Sequence, residues 1–135
     1  DLAVVRPTDK HYRSFLSDID GSAQHYGVTP PAVAVDSSLA LFLTLHGAGV
    51  PARQAHHYRP RPGTVIVAPT NRREFGFDWE DWGRLDALEV LETARSRYAI
   101  DPNRVFLCGH SMGGHGTWHV SVNHPGLFAG IAPSA

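Results

Sequence analysis

Val105-Phe106-Leu107-Cys108-Gly109-His110-Ser111-Met112-Gly113 is the stretch that decides how this chain folds. An apolar run of strand type leads straight into G-x-S-x-G. The spacing has a steric reason. A serine on a very tight strand-to-helix turn needs neighbours with almost no side chain two positions before and two after, or their Cβ atoms collide across the turn. Such a turn lifts the hydroxyl above the sheet, where a base and a substrate reach it. Gly114-His115-Gly116-Thr117-Trp118-His119-Val120 follows and can enter a helix, ending near His124-Pro125-Gly126. Ser111 is the candidate nucleophile.

Outward from this turn, the pattern is of strands alternating with helices. Leu39 to Leu45 is a continuous apolar run with no alternation, as expected of a strand covered on both faces in a parallel sheet. Pro51 to Tyr58 suits a short helix, Arg59 to Gly63 a loop, and Thr64 to Ala68 a second buried-type strand. A polar and aromatic loop spans Asn71 to Gly83. The spacing of Leu85, Leu88, Leu91 and Ala94 predicts a helix from about Arg84 to Tyr98. Asp101-Pro102-Asn103 reads as a turn into the strand that carries the serine, and Ala129 to Ala132 begins another strand. Near the start, residues 1 to about 22 suggest a short helix, and Gln24 to Val28 a short strand stopped by Pro30-Pro31.

This order predicts an α/β fold: three layers, a mostly parallel sheet with right-handed crossovers and helices on both faces. The sheet reads as cut short after the strand that follows the nucleophile helix. The whole of 1–135 reads as part of one catalytic domain, with leading strands and loops in 1–38 and the core in 39–135. Active sites of such sheets lie outside the carboxyl ends of the strands. Here those ends are His46 to Gly49, Pro69 to Arg73 and Gly109 to Gly113, so three loops converge on one edge.

Composition narrows the function class. A hydrophobic content of 42% supports a packed core, and a net charge of -1 gives no field that points to nucleic acid or a membrane surface. No apolar stretch approaches a membrane span. Cys108 is the one cysteine, so no disulfide forms within the chain, and its place in a buried-type strand suits a small core residue.

Acyl transfer needs donors aimed at the oxygen that becomes negative. One is the backbone N–H after the serine, that of Met112; the other comes from the loop after an earlier strand, where His46-Gly47-Ala48-Gly49 stands and Ala48 is the choice, with Gly47 or Gly49 close behind. His46, Gly47, His110 and Asn71 are candidate substrate contacts. Arg72 and Arg73 also sit at a strand's carboxyl end, in reach of a polar substrate. Phe75, Phe77, Trp79 and Trp82 suit either an apolar wall of the site or a cover for the sheet edge. Asp86, inside a helix, suits a structural hydrogen bond. A serine needs a histidine base and a carboxylate to orient it, in chain order Ser, Asp or Glu, His. Residues 112–135 contain no Asp or Glu, and His115, His119 and His124 lie on the helix that runs away from the hydroxyl. Acid and base are therefore expected outside these residues. His115 and His119 share a helix face, as zinc ligands often do, but the H-E-x-x-H glutamate is missing, so packing is the expectation, with no metal and no cofactor.

Leu45-His46-Gly47-Ala48-Gly49, Trp82-Gly83-Arg84-Leu85-Asp86-Ala87-Leu88 and Asp101 to Gly114 together resemble the α/β-hydrolase superfamily, in its prolyl oligopeptidase-like and esterase-like branch. Gly116-Thr117-Trp118 and Pro125 to Ala129 continue the likeness. The resemblance covers about residues 40 to 135. It implies Ser111 as nucleophile and an oxyanion hole from the N–H groups of Met112 and Ala48. It also implies an Asp and a His that this stretch lacks. Members cleave ester or peptide bonds of small-molecule or peptide substrates, and many are exported. The expectation is a carboxylesterase-like serine hydrolase. A peptidase of the prolyl oligopeptidase type is the alternative, and a hydrolase-like binding domain without catalysis follows if acid and base are truly lacking.

Overall fold

The computed structural model of the protein describes residues 4–33 and 37–135. Six strands build one sheet: β1 His11–Leu16, β2 Ala23–Thr29, β3 Leu39–Leu45, β4 Thr64–Ala68, β5 Ile100–His110 and β6 Gly130–Ser134. Their spatial order is β1-β2-β4-β3-β5-β6. The first two strands enter as an antiparallel pair, and β2 runs antiparallel to β4. From β4 through β3 and β5 to β6 every pairing is parallel. Helix α1 Asp81–Arg97 lies between β4 and β5, helix α2 Met112–Asn123 lies between β5 and β6, and a 3-10 segment makes the crossover from β3 to β4. The expected α/β architecture with a mostly parallel sheet is what the chain forms.

The two sheet faces are covered differently. Leu41, Leu43, Leu45, Val65, Val67, Val105 and Leu107 share one face, and all are fully buried beneath Ala87, Val90, Leu91 and Ala94 of α1 and Val120 of α2. The opposite face meets a 3-10 segment, Ala52–His57, packed over β2 and β4. There the Thr29 hydroxyl donates to the Ala55 carbonyl, and Thr44 Oγ1 stands 3.0 Å from the Tyr58 hydroxyl. Farther along the same face Phe42 and Phe106 stack at 4.8 Å, each half-buried. β3 is thus apolar at consecutive positions because each of its faces packs against something.

Three expectations need correction. The suggested N-terminal helix is the strand β1. Its residues alternate between partly buried (His11, Arg13, Phe15) and exposed (Tyr12, Ser14, Leu16), so each face mixes polar and apolar side chains and the apolar alternation that marks a strand is lost. Helix α1 begins at Asp81 rather than near Arg84, and its buried stripe is Gly83, Asp86, Ala87, Val90, Leu91 and Ala94, so Leu85 (36% exposed) and Leu88 lie on its flank. The turn at Asp101 to Asn103 is a bulge inside β5: Leu39 pairs with Ile100 while Leu41 pairs with Val105. The Asn103 N–H donates to Asp101 Oδ1 at 2.9 Å and closes the bulge.

Candidate active site

Ser111 joins β5 to α2 with φ 56° and ψ -120°, an arrangement that only a constrained backbone keeps in a residue with a side chain. The structure shows the steric basis of the motif. A Cβ on Gly109 would stand 2.9 Å from the Gly113 Cα, and one on Gly113 would stand 2.6 Å from the carbonyl carbon of Leu45. Either contact is too close for a real Cβ, so Gly109 packs backbone against backbone across the turn, and Gly113 does so against the end of β3. Hydrogen bonds hold the bend: the Ser111 N–H donates to the Ser134 carbonyl at 2.8 Å, and the N–H groups of Gly114 and His115 donate to the Ser111 carbonyl at 2.8 and 3.1 Å. The side chain of Ser111 is exposed at the sheet's carboxyl edge.

The loop after β3 comes to the same place. A Cβ on Gly47 would lie 3.5 Å from the Ser111 Cβ and a tight 3.3 Å from the His110 carbonyl oxygen, so the loop lies directly against the serine turn. Gly49, at φ 72°, turns the loop and donates its N–H to the Glu74 carbonyl at 3.1 Å. Ala48 between them is exposed. Among the described residues, the N–H groups of Ala48 and Met112 donate to no turn or loop carbonyl. Met112 opens α2, where unpaired N–H groups and the helix dipole favour negative charge.

His46 and Asn71 differ from their expected role. Both are fully buried, so neither presents a surface that a substrate touches. The two ring nitrogens of His46 each stand 2.9 Å from a carbonyl oxygen, of Gly47 and of Thr70, and tie the loop after β3 to the loop after β4. Asn71, at φ 56°, packs its amide between Gly76 and Gly83. Gly47 is buried beneath the turn, whereas His110 is exposed, with Nδ1 3.3 Å from Ser134 Oγ.

Two residues that the sequence places near the site, Trp79 and Arg72, prove to be its buried anchors. Trp79 is fully buried, donates its indole N–H to the His46 carbonyl at 3.0 Å, and meets the His46 ring edge-on at 4.9 Å. On its other side a Cβ at Gly116 would stand 2.5 Å from Trp79 Cβ, so α2 lies flat on the indole. The signal was the glycines of α2, which give a helix a smooth face for a bulky neighbour. The second anchor is Arg72, whose side chain is only 7% exposed. Its Nε stands 3.2 Å from Asp86 Oδ1, its Nη2 2.9 Å from Glu89 Oε2, and its Nη1 3.5 Å from Asp20 Oδ2. Asp86 also accepts the N–H groups of Thr70 and Asn71 at 3.1 and 2.9 Å. Burial lifts the pKa of Asp86 above the ordinary carboxylate value, against the opposing pull of Arg72 and of these hydrogen bonds. Asp86 is thus structural, as its position in a helix suggested, and Arg72 is taken up inside the fold.

The aromatic residues of the loop divide. Trp79 is core, Phe75 is 72% exposed beside Gly49, and Phe77 stacks on Trp82 at 6.3 Å with Arg73 4.7 Å from the Phe77 ring centre. Cys108 is half-buried on the face of Phe42, and burial pushes its thiol pKa up.

Comparison with known proteins agrees with this geometry. The chain resembles the solved structure of a thermostable esterase at 24% identity and TM-score 0.69, over 93% of this chain and 40% of that one. It resembles an S-formylglutathione hydrolase from Staphylococcus aureus at 16% identity and TM-score 0.69, over 94% of this chain and 57% of that one. A ferulic acid esterase matches at 17% identity and TM-score 0.70, over 91% of this chain and 58% of that one. At these identities the likeness is one of fold, and the chain spans between two fifths and three fifths of the length of these structures. A search of curated proteins finds no match. The family model of the prolyl oligopeptidase family matches residues 64–135, from β4 through the serine turn to β6, and the chain belongs to that family.

Proposed function

We propose that the protein is a serine hydrolase of carboxylesterase type, with Ser111 as its nucleophile. The observation that carries this reading is the exposed Ser111 hydroxyl at φ 56°, standing at the N-terminus of α2 against the Gly47 turn. In the reaction Ser111 Oγ attacks the ester carbonyl carbon, and its proton passes to a histidine base. The carbonyl oxygen becomes an oxyanion, received by the N–H groups of Met112 and Ala48. The tetrahedral centre collapses, the alcohol leaves with the proton, and water then releases the acid from the acyl-serine by the same route.

The base and its carboxylate partner come, in this reading, from outside these 135 residues. His110 faces Ser134 Oγ and His115 faces Glu80 Oε1, at 3.3 and 3.1 Å. Esterase is preferred over peptidase because the solved structures of like fold carry esterase and hydrolase names. The family description favours a peptide bond as the second reading.

A fluorophosphonate probe on the intact protein tests the proposal. Labelling that Ser111→Ala abolishes, with turnover of a p-nitrophenyl ester falling by on the order of a million-fold, is the expected result. Labelling that survives the substitution would sink it, and absent labelling favours a binding domain instead. Faster cleavage of a proline-containing peptide than of any ester would move the assignment to peptidase.

A further inference from the structure

The first helix ends its lead-in at Glu80, whose backbone caps α1 but whose carboxylate does not bond to the helix amides. It turns instead toward α2, where Oε1 stands 3.1 Å from His115 Nε2. One turn further along α2, His119 lays its ring nearly parallel to that of His115, at 6.1 Å and 16°. One ligand atom each from Glu80, His115 and His119 lies within 4.8 Å of the others. Asp78 Oδ2 adds a second carboxylate 4.0 Å from His115 Nε2. Glu80 and His115 are exposed and His119 is half-buried, so an ion enters without opening the fold.

We propose that Glu80, His115 and His119 form a binding site for Zn²⁺ or a chemically similar divalent transition ion, joining the start of α1 to the outer face of α2. The histidine pair has the four-residue spacing that puts two imidazoles on one helix face. Sequence alone lacked the third ligand, because the glutamate that would complete an H-E-x-x-H helix is missing. The fold supplies a carboxylate from 35 residues upstream. Two imidazoles with a carboxylate suit zinc, copper or nickel; magnesium and calcium prefer oxygen donors alone. Three protein ligands leave a fourth position to water. The neighbouring charges of Glu80 and Asp78 offset that of the ion. His115 also lines the hollow that contains Ser111 and Trp118, so the ion sits beside the approach to the serine. The proposal is independent of the hydrolase reading.

Isothermal titration of the intact, metal-stripped protein with ZnCl₂ tests it, with MgCl₂ as the comparison. One-to-one zinc binding and no saturable magnesium binding are expected. His119→Ala and Glu80→Gln are each expected to weaken zinc by about tenfold or more, since even residues behind a ligand matter by that factor. Glu80→His restores a ligand and is expected to bind at least as tightly as the parent. Glu80 is exposed and His119 half-buried, outside the buried core of α2, so circular dichroism of the zinc-free variants is expected to match the parent. The protein has nine histidines, so binding elsewhere is the competing outcome. Zinc affinity unchanged by His119→Ala and Glu80→Gln, no zinc binding at all, or a Glu80→His variant no tighter than Glu80→Gln would each overturn the proposal.

Discussion

Gly113 faces Leu45 so closely that a Cβ on the glycine would stand 2.6 Å from the leucine's carbonyl carbon. The end of β3 and the start of α2 therefore meet without a side chain between them. Gly113→Ala forces a methyl into backbone that cannot swing aside as a side chain can. A loss of about 1–3 kcal/mol or more is expected, the usual result of overpacking a tight contact. Urea denaturation of the two proteins measures it. An unchanged midpoint would mean that the turn relaxes freely.

The strain at Ser111 gives an opposite prediction for its own position. A non-glycine residue held at φ 56° and ψ -120° costs of order 1–3 kcal/mol, and glycine adopts the same backbone with little penalty. Ser111→Gly is expected to abolish hydrolysis yet to be more stable than Ser111→Ala, by about 1 kcal/mol. The comparison of the two inactive variants isolates backbone strain from the loss of the hydroxyl. Equal melting temperatures would show that the bend stores none.

These glycines explain why the site's backbone was readable in the sequence and much of its surroundings was not. Gly109 is fixed by its contact with Gly113, four residues on, so the spacing of the motif is written locally, while Gly113 is held against the end of β3. The strands β3, β4 and β5 were legible because double-sided burial writes uninterrupted apolar runs. β1 was not, because Arg13 faces inward toward the Tyr98 hydroxyl at 3.2 Å while Leu16 faces solvent. The stripe of α1 was misjudged because Asp86 and Gly83 occupy its buried side, one paired with Arg72 and the other giving room to Asn71. His46 and Asn71 read as substrate contacts because they follow strands at the active edge. Their burial is set by Thr70, Trp79 and Gly83, partners the local sequence does not reveal.

Asp86 carries a prediction with a defined sign. Its folded pKa is raised from 3.8, chiefly by burial, so the folded state holds its proton more tightly than the unfolded chain. The stability that this contributes is complete below pH 3.8 and is lost as pH rises through the elevated folded value. Asp86→Asn has no such proton. The stability of the parent relative to Asp86→Asn is therefore expected to fall from pH 3.8 up to the elevated pKa, as read from thermal melts across that range. A difference that grows with pH would mean that the Arg72 pair outweighs burial. Asp86→Ala, which also leaves Arg72 short of a partner, is expected to cost about 3 kcal/mol or more above the elevated pKa, where the carboxylate is charged.

Cys108 is expected to react slowly. Its thiol pKa is raised by burial, with a hydrogen bond to Thr44 opposing, and the reactive thiolate is correspondingly scarce. Labelling by a disulfide reagent at pH 8 is expected to lag free glutathione by at least about tenfold, and to catch up only in denaturant. Labelling of the folded protein at the rate of glutathione would show that the face of Phe42 and Phe106 opens readily.

Trp79 links stability to the geometry of the serine edge. Its indole fills the space between the His46 loop and the glycine face of α2, and its N–H holds the His46 carbonyl at 3.0 Å. Trp79→Ala removes both and is expected to cost about 3–5 kcal/mol. Trp79→Phe keeps most of the packing and loses the hydrogen bond, leaving a buried carbonyl unpaired at a cost of about 1–3 kcal/mol. If the loop that follows His46 supplies an oxyanion donor, its loosening weakens the transition state more than the substrate complex. Trp79→Phe is then expected to lower kcat while leaving KM nearly unchanged, under conditions where the variant is fully folded. A rise in KM alone would place the effect on substrate binding and separate Trp79 from the oxyanion loop.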